Sequence, residues 1–184
     1  MSEGGILKPM RNPASGTHDG ADSPKYAHLE IERRWLVDAD RLAVADLAGP
    51  IAIHDRYIDG TRVRLRLMER DGGKVFKLTR KYQSDEADAR PIVTAYLEED
   101  EYAVFAKLPS CALSKTRFKL LHGEHFYSVD CFRGALEGLV LAELEGADLA
   151  ALRALPDPAW AVRDVTHEIQ YQGATLARAG IPKD

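Results

Sequence analysis

Two Glu-x-Glu pairs and three strands' worth of alternating cations hold most of the chemistry in this 184-residue chain. The first pair, Glu30 and Glu32, lies in the run from Leu29 to Asp38; the second, Glu143 and Glu145, lies in the run from Leu139 to Glu145. Read at the two-residue period of a β-strand, Glu30, Glu32 and Arg34 share one face, and Leu29, Ile31, Arg33, Trp35 and Val37 share the other. Carboxylates two residues apart repel, and burying them requires cations or a metal. A divalent ion held by oxygen ligands, with the Arg34 guanidinium beyond it, would balance that charge. A solvated edge strand whose charges do nothing is the competing reading of this stretch alone.

The cations follow the same period. Arg62, Arg64 and Arg66 alternate with Val63, Leu65 and Leu67; Lys77, Thr79 and Lys81 alternate with Phe76 and Leu78; Lys115, Arg117 and Lys119 repeat the pattern later. Tight turns at Asp59-Gly60 and at Asp71-Gly72-Gly73 would set the first two of these strands side by side. Like charges on neighbouring strands repel, so the arrangement wants an anionic partner.

The elements that must position these residues are mostly strands. After the first strand, Asp38 is expected to cap a short helix from about Asp40 to Leu47, stopped by Gly49-Pro50. Strands are expected over about Ile51–Tyr57, Thr61–Arg70, Lys74–Lys81, Ile92–Leu97, Leu113–Leu121, His125–Arg133 and Leu139–Glu145. A loop is expected over 83–91. Short helices are expected over Glu98–Leu108 and Ala147–Leu155, and a terminal helix capped by Thr166 and running through Ala179. Eight hairpin-linked strands with charged faces on one side and apolar faces on the other fit an antiparallel barrel with a polar lumen, of class α+β. Closure brings the first and last strands together, so the two acidic pairs meet, and four carboxylates converging on one place need metal. Metal beside a basic wall suits polyphosphate, because Mg²⁺ is held by carboxylates and phosphate oxygens together.

At these residues the chain resembles the CYTH domain family, the triphosphate tunnel metalloenzymes. Glu30-Ile-Glu-Arg-Arg34 is similar to its Glu-x-Glu-x-Lys signature. Arg64-Leu-Arg66, Leu78-Thr-Arg-Lys81, Lys115-Thr-Arg117, Ser128-Val-Asp130, Ala142-Glu-Leu-Glu145 and Asp164-Val-Thr166 follow in order, and the likeness runs from about residue 28 to 178. The resemblance implies an eight-stranded tunnel in which Glu30, Glu32, Asp130, Glu143 and Glu145 hold one or two Mg²⁺ or Mn²⁺ ions. It implies that Arg34, Arg64, Arg66, Lys81 and Arg117 hold a triphosphate, and that Lys115 and Tyr57 line the tunnel. Glu30, Glu32, Glu143 and Lys115 are the expected catalytic groups. Three departures stand out: Arg34 replaces the signature lysine, a usually acidic strand position falls at Thr94 or Tyr96, and Gln170 and Gln172 stand where relatives often carry cations.

The expected function is metal-dependent hydrolysis of a triphosphate-containing small molecule. A non-catalytic polyphosphate or nucleotide binder, and an adenylate cyclase on the same scaffold, are the alternatives. A net charge of −4 gives no support to a partner such as duplex nucleic acid. No apolar run approaches the roughly 18 residues of a membrane span. Cys111 and Cys131 are too few for a disulfide framework and suit a reducing cytoplasm. Residues 1–25 read as a disordered leader ahead of one domain over 26–184. His122 and His125 read as surface residues on a hairpin, His167 as a helix-start residue, Trp35 and Trp160 as core, and Arg33 as snorkelling on the barrel exterior.

Overall fold

The computed structural model describes residues 24–42 and 46–183. The expected leader over 1–25 falls almost wholly outside these residues, as does the middle of the helix expected over Asp40–Leu47. The strands are β1 (His28–Val37), β2 (Leu47–Ile58), β3 (Val63–Arg70), β4 (Gly73–Lys81), β5 (Ala89–Leu97), β6 (Ser110–His122), β7 (His125–Arg133), β8 (Val140–Glu145) and β9 (Ala161–Asp164). The helices are α1 (Glu99–Phe105), α2 (Leu149–Ala154) and α3 (Gly173–Ala179).

Strands β5-β4-β3-β2-β6-β7-β8-β1 are hydrogen-bonded in that order, and β1 pairs again with β5, which closes an eight-stranded antiparallel barrel. The ninth strand, β9, adds to the barrel along β1. The expected α+β barrel is therefore the observed fold. Closure depends on β5, which bonds to β4 from Ile92 to Leu97 and to β1 from Ala89 to Ile92. The stretch expected as loop over 83–91 thus ends in strand at Ala89, and Pro91, which has no N–H to give to a ladder, sits where β5 changes partner.

Alternation decides which faces are which. On β1, Ile31, Trp35 and Val37 are buried against a cluster that includes Val129, Ala142 and Leu144 from the same outer face and Leu152 of α2. Trp35 is wholly buried, and its ring meets Tyr127 edge-on with centroids 5.8 Å apart; Trp160 meets Tyr127 at 5.1 Å. Both tryptophans are core, as expected. Leu113, Phe132 and Leu141, on the inward faces of β6, β7 and β8, pack with Val165, Tyr171 and Leu176 of the C-terminal segment. That segment therefore plugs one end of the barrel with apolar side chains. Gly173 is part of the plug: a Cβ there would lie 2.0 Å from the Tyr57 hydroxyl, so no side chain fits without displacing that ring.

Several local expectations change. Asp38 does cap, accepting from Asp40 N, but only the short 3-10 turn Ala39–Arg41 follows. Gly49 and Pro50 stop no helix; they lie inside β2 at a register shift between Ala48 and Ile51, where a bulge tolerates both residues. Asp59-Gly60 does not make a two-residue hairpin. The Thr61 hydroxyl donates to Ile58 O and accepts from Val63 N, holding four residues out of the ladder. By contrast the hairpin expected at Asp71-Gly72-Gly73 is present, with Asp71 (φ 50°) and Gly72 (φ 80°) as its two turn residues and Gly73 already paired with Arg70.

β9 was not expected at all, and it changes the roles of its neighbours. Thr166 caps no helix. Its hydroxyl accepts from Arg34 N at 2.9 Å and its own N–H donates to Asp164 at 2.8 Å, which ties β1 to the C-terminal segment. Arg33 does not snorkel. It is buried, with Nε and Nη2 on Asp164 Oδ2 at 2.9 and 2.7 Å and Nη2 on Asp157 at 2.7 Å. No helix among the described residues is long and apolar enough to cross a membrane.

Candidate active site

The barrel encloses a cavity of about 500 Å³ lined by both Glu-x-Glu pairs and by cations from five strands, within the roughly 300–1,000 Å³ usual for small-molecule sites. Glu32 stands directly opposite Glu145, and Arg34 opposite Glu143, on neighbouring strands β1 and β8. Closure thus brings Glu32 to Glu145, but Arg34 stands between the pairs, so the four carboxylates do not converge on one place as expected.

Their side chains form a ladder in which charge alternates at every step. Lys115 Nζ donates to Asp130 at 2.5 Å. Arg117 donates to both oxygens of Asp130, at 2.7 and 2.6 Å, and to Glu143 at 2.5 Å. Arg34 then bridges Glu143, at 2.8 Å, and Glu32, at 3.0 Å. Lys81 lies 4.0 Å from Glu32 and closes the run with a short contact to Glu30. Four cations and four carboxylates thus cancel along the wall. A second, smaller arrangement faces it: Arg66 donates to both oxygens of the buried Asp55, at 2.6 and 2.7 Å, while Arg64 stands 3.8 Å away.

The fields in this wall shift its protonation equilibria. Burial pushes the Glu32 carboxyl up, and the nearby Glu143 adds to the rise against Arg34 and Lys81. Burial acts the same way on Glu143, but Arg34 and Arg117 outweigh it and hold that carboxyl well below the usual range. Burial lowers Lys115 even though Asp130 supports its ammonium. The Tyr57 phenol is pushed up to about 12, first by burial and then by Asp55, so it remains a hydrogen-bond donor at any ordinary pH.

Of the residues expected at the site, Glu30, Glu32, Arg34, Tyr57, Arg64, Arg66, Lys81, Lys115, Arg117, Glu143 and Glu145 all line the cavity. Asp130, expected among the metal ligands, does not; it is fully buried behind Lys115 and Arg117, with both oxygens taken by them. Lys119 is exposed on β6 and outside the lining. Thr94, one of the two positions at which an acid was expected to be missing, bonds the buried Thr79 Oγ1 at 2.9 Å, and neither residue lines the cavity. Gln172 lines the cavity, whereas Gln170 is exposed and bonds Glu168.

Sequence reading passed over Asp55, Arg90 and Arg178, and set aside Arg62, though the last three also line the cavity. Asp55 shares the inward parity of Tyr57, which was the available signal. Arg90 lay in the segment read as loop. His122 and His125 pair across the exposed end of the β6–β7 hairpin. Both cysteines are free, and burial raises the Cys131 thiol, which makes it a poor nucleophile.

A divalent ion fits this wall only as part of a complex. Among the described residues no three His, Cys, Asp or Glu side chains gather as a protein-only metal cage. Glu32 and Glu145 do stand side by side, with Glu30 next in line. Mg²⁺ typically takes one or two carboxylates and completes its shell with water and phosphate oxygens, so an open carboxylate pair is the donor set it uses.

The barrel is closed and antiparallel, and acid and base are interleaved along the wall of its lumen. No family model matches the sequence. The chain is 28% identical over 160 residues to an inorganic triphosphatase of Acetivibrio thermocellus, which spans 81% of this chain and 93% of that relative. In fold it is similar to the crystal structure of the inorganic triphosphatase NE1496, with a TM-score of 0.57 and 22% identity over 84% of this chain and 97% of the other. The PH1819 protein of Pyrococcus horikoshii OT3 matches at a TM-score of 0.52 and 16% identity, over 67% and 82% of the two chains. The likeness to the CYTH family read from the motifs is borne out by these matches.

Proposed function

We propose that this protein hydrolyses a triphosphate inside the tunnel with the help of Mg²⁺ or Mn²⁺. The observation that carries the reading is the charge arrangement. The ladder from Lys115 to Glu30 neutralises itself and Arg178 lies 4.0 Å from Asp59, so Arg62, Arg64 and Arg90 are left as positive charge that Glu145 does not balance. A polyanion supplies what is missing.

Arg34, Arg64, Arg66, Lys81 and Arg117 bind the phosphoryl oxygens and fix the chain of phosphates for in-line attack. Glu30, Glu32 and Glu145 would hold the ion, which supplies charge neutralisation at the phosphates and a more acidic water. Glu143 keeps Arg34 and Arg117 aimed into the cavity, and Asp130 does the same for Arg117 and Lys115. Lys115, with an ammonium weakened by burial, is placed to hold a proton at a leaving phosphoryl oxygen. The free thiols of Cys111 and Cys131 suit a cytoplasmic setting.

Binding without turnover is the second reading. The observation in its favour is the Thr79–Thr94 hydroxyl pair, which stands outside the cavity lining at a strand position expected to lack a carboxylate. A phosphate-release screen over inorganic triphosphate, thiamine triphosphate and nucleoside triphosphates, with each metal in turn, separates the readings. Orthophosphate that disappears with EDTA is the expected product. Tight binding with no release supports the binder, and pyrophosphate with cyclic AMP supports a cyclase.

A further inference from the structure

At Glu32 the first strand changes partner. From His28 to Ile31 β1 pairs with β5, and from Glu32 to Leu36 it pairs with β8. The last bond on the β5 side lies one step past the Ile31–Ala89 pair, where Glu32 N donates to Asp88 O at 3.0 Å. On the β8 side Gly146 N donates to Ile31 O, also at 3.0 Å. The backbone that carries Glu32 is thus pinned where two ladders meet, and whatever fixes Asp88 fixes that backbone.

Asp88 is fixed from outside the barrel. It is 1% exposed, and Arg153 of α2 takes both its oxygens, Nε on Oδ2 at 2.7 Å and Nη2 on Oδ1 at 2.8 Å. Such a fork sets the orientation of a carboxylate as well as its place. Arg153 also makes a short contact with Glu86, and Ser84 Oγ donates to Ala89 O at 2.7 Å, so the whole end of the β4–β5 loop is gathered. The helix in turn is tied to β1, because Arg33 donates to Leu155 O at 2.7 Å and to Leu152 O at 3.3 Å. The circuit closes: β1 to α2 through Arg33, α2 to the loop through Arg153, and the loop back to β1 through Asp88 O. Arg33, Asp88 and Arg153 stand outside the lining of the main cavity. Groups behind a ligating carboxylate commonly tune a metal site as much as ten- to a hundredfold, by about as much as they hold it still. Resting on the triphosphatase reading above, we propose that Asp88, clamped by Arg153, is a positioning residue that holds the Glu32 backbone at the strand switch and so sets the spacing of the Glu32 and Glu145 carboxylates for the metal.

Amide hydrogen exchange of the metal-free protein, followed by NMR, compares wild type with Arg153→Met, whose side chain is 44% exposed in wild type and can be changed without opening the core. The Glu32 amide should exchange about 10-fold faster once the charge-assisted clamp on Asp88 is lost. The amides of Trp35 and Leu36, in strand pairs on both sides, should not change. In phosphate release from tripolyphosphate, the Mn²⁺ concentration for half-maximal rate should rise about 10-fold, with kcat at saturating Mn²⁺ within about threefold of wild type. Arg153→Lys should recover part of both effects, and Asp88→Asn should repeat them. Arg133→Met, which removes an exposed ion pair with Glu137, should change neither. An unchanged Glu32 amide in Arg153→Met overturns the proposal, as does faster exchange with an unchanged Mn²⁺ requirement; both leave the triphosphatase reading intact. Uniformly faster exchange along β1 with a lower melting temperature makes the pair merely structural and also overturns it. A wild type that binds Mn²⁺ with tripolyphosphate but does not cleave removes the catalytic reading, and calorimetry of that binding in place of the rate still decides on Asp88. A wild type that binds neither removes both.

Discussion

Glu143→Gln is expected to lower metal-dependent phosphate release on the order of 10²-fold or more, the range for removing one preorganised electrostatic group from an active site. Glu143 sits at the centre of the ladder, with one oxygen on Arg34 at 2.8 Å and the other on Arg117 at 2.5 Å. Both arginines are half-buried there and both gain from its charge. The amide keeps the shape but offers one oxygen and an N–H, so one arginine faces a donor in place of an acceptor and turns away. The loss should therefore fall on kcat as well as KM, because the arginines act on charge that develops in the transition state. The far-ultraviolet circular dichroism should match wild type, since the outward faces of β1 and β8 are untouched. Turnover equal to wild type would show that the ladder does not organise the chemistry.

The second large effect is on stability. Asp55 is buried and accepts from Arg66 at 2.6 and 2.7 Å. Removing its charge leaves a buried guanidinium uncompensated, which costs about 3–5 kcal/mol. At about 2–4 °C per kcal/mol for a chain of this size, Asp55→Ala should melt roughly 6–20 °C below wild type. The same pair fixes a pH dependence. Burial opposes ionisation of Asp55, yet Arg66 and then Arg64 hold its carboxyl well below the ordinary value. The folded state thus releases this proton more readily than the unfolded chain. Its stabilisation is present above the usual carboxylate pKa of about 4 and is lost as pH falls towards the folded value. Asp55→Asn, nearly isosteric, should flatten that part of the acid limb in thermal melts between pH 5 and 2. An acid limb and a melting temperature identical to wild type would contradict the assignment.

The parts of this molecule legible in the sequence are those where alternation was unambiguous. On β1 from Glu30 to Val37 and on β8 from Ala142 to Glu145 the inward acids and Arg34 alternate with outward residues that are apolar except Arg33, so the period separates lumen from exterior there. The barrel itself could be read because acidic strands at the two ends of the chain make sense only if they meet. Asp55 escaped because His54, Asp55 and Arg56 are three polar residues in a row, where a two-residue period has no contrast. Arg90 escaped for a different reason: Ala89–Pro91 becomes strand through pairing with β1, some sixty residues away, which no local propensity encodes. β9 is similar, four residues made a strand by the edge of β1 and by the Arg33–Asp164 pair. Asp130 entered only through the family resemblance, and sequence could not show that Lys115 and Arg117 close over it.

The central claim is that Glu32 and Glu145 in the lumen hold a metal ion and the cations around them hold the phosphates that share it. Anomalous diffraction from crystals grown with Mn²⁺ and a non-hydrolysable triphosphate tests this directly. Manganese in contact with Glu32 and Glu145 and with phosphate oxygens, and the phosphates lying against Arg64 and Arg117, is the predicted result. Manganese bound elsewhere, or phosphates resting outside the barrel with the ladder undisturbed, would contradict it.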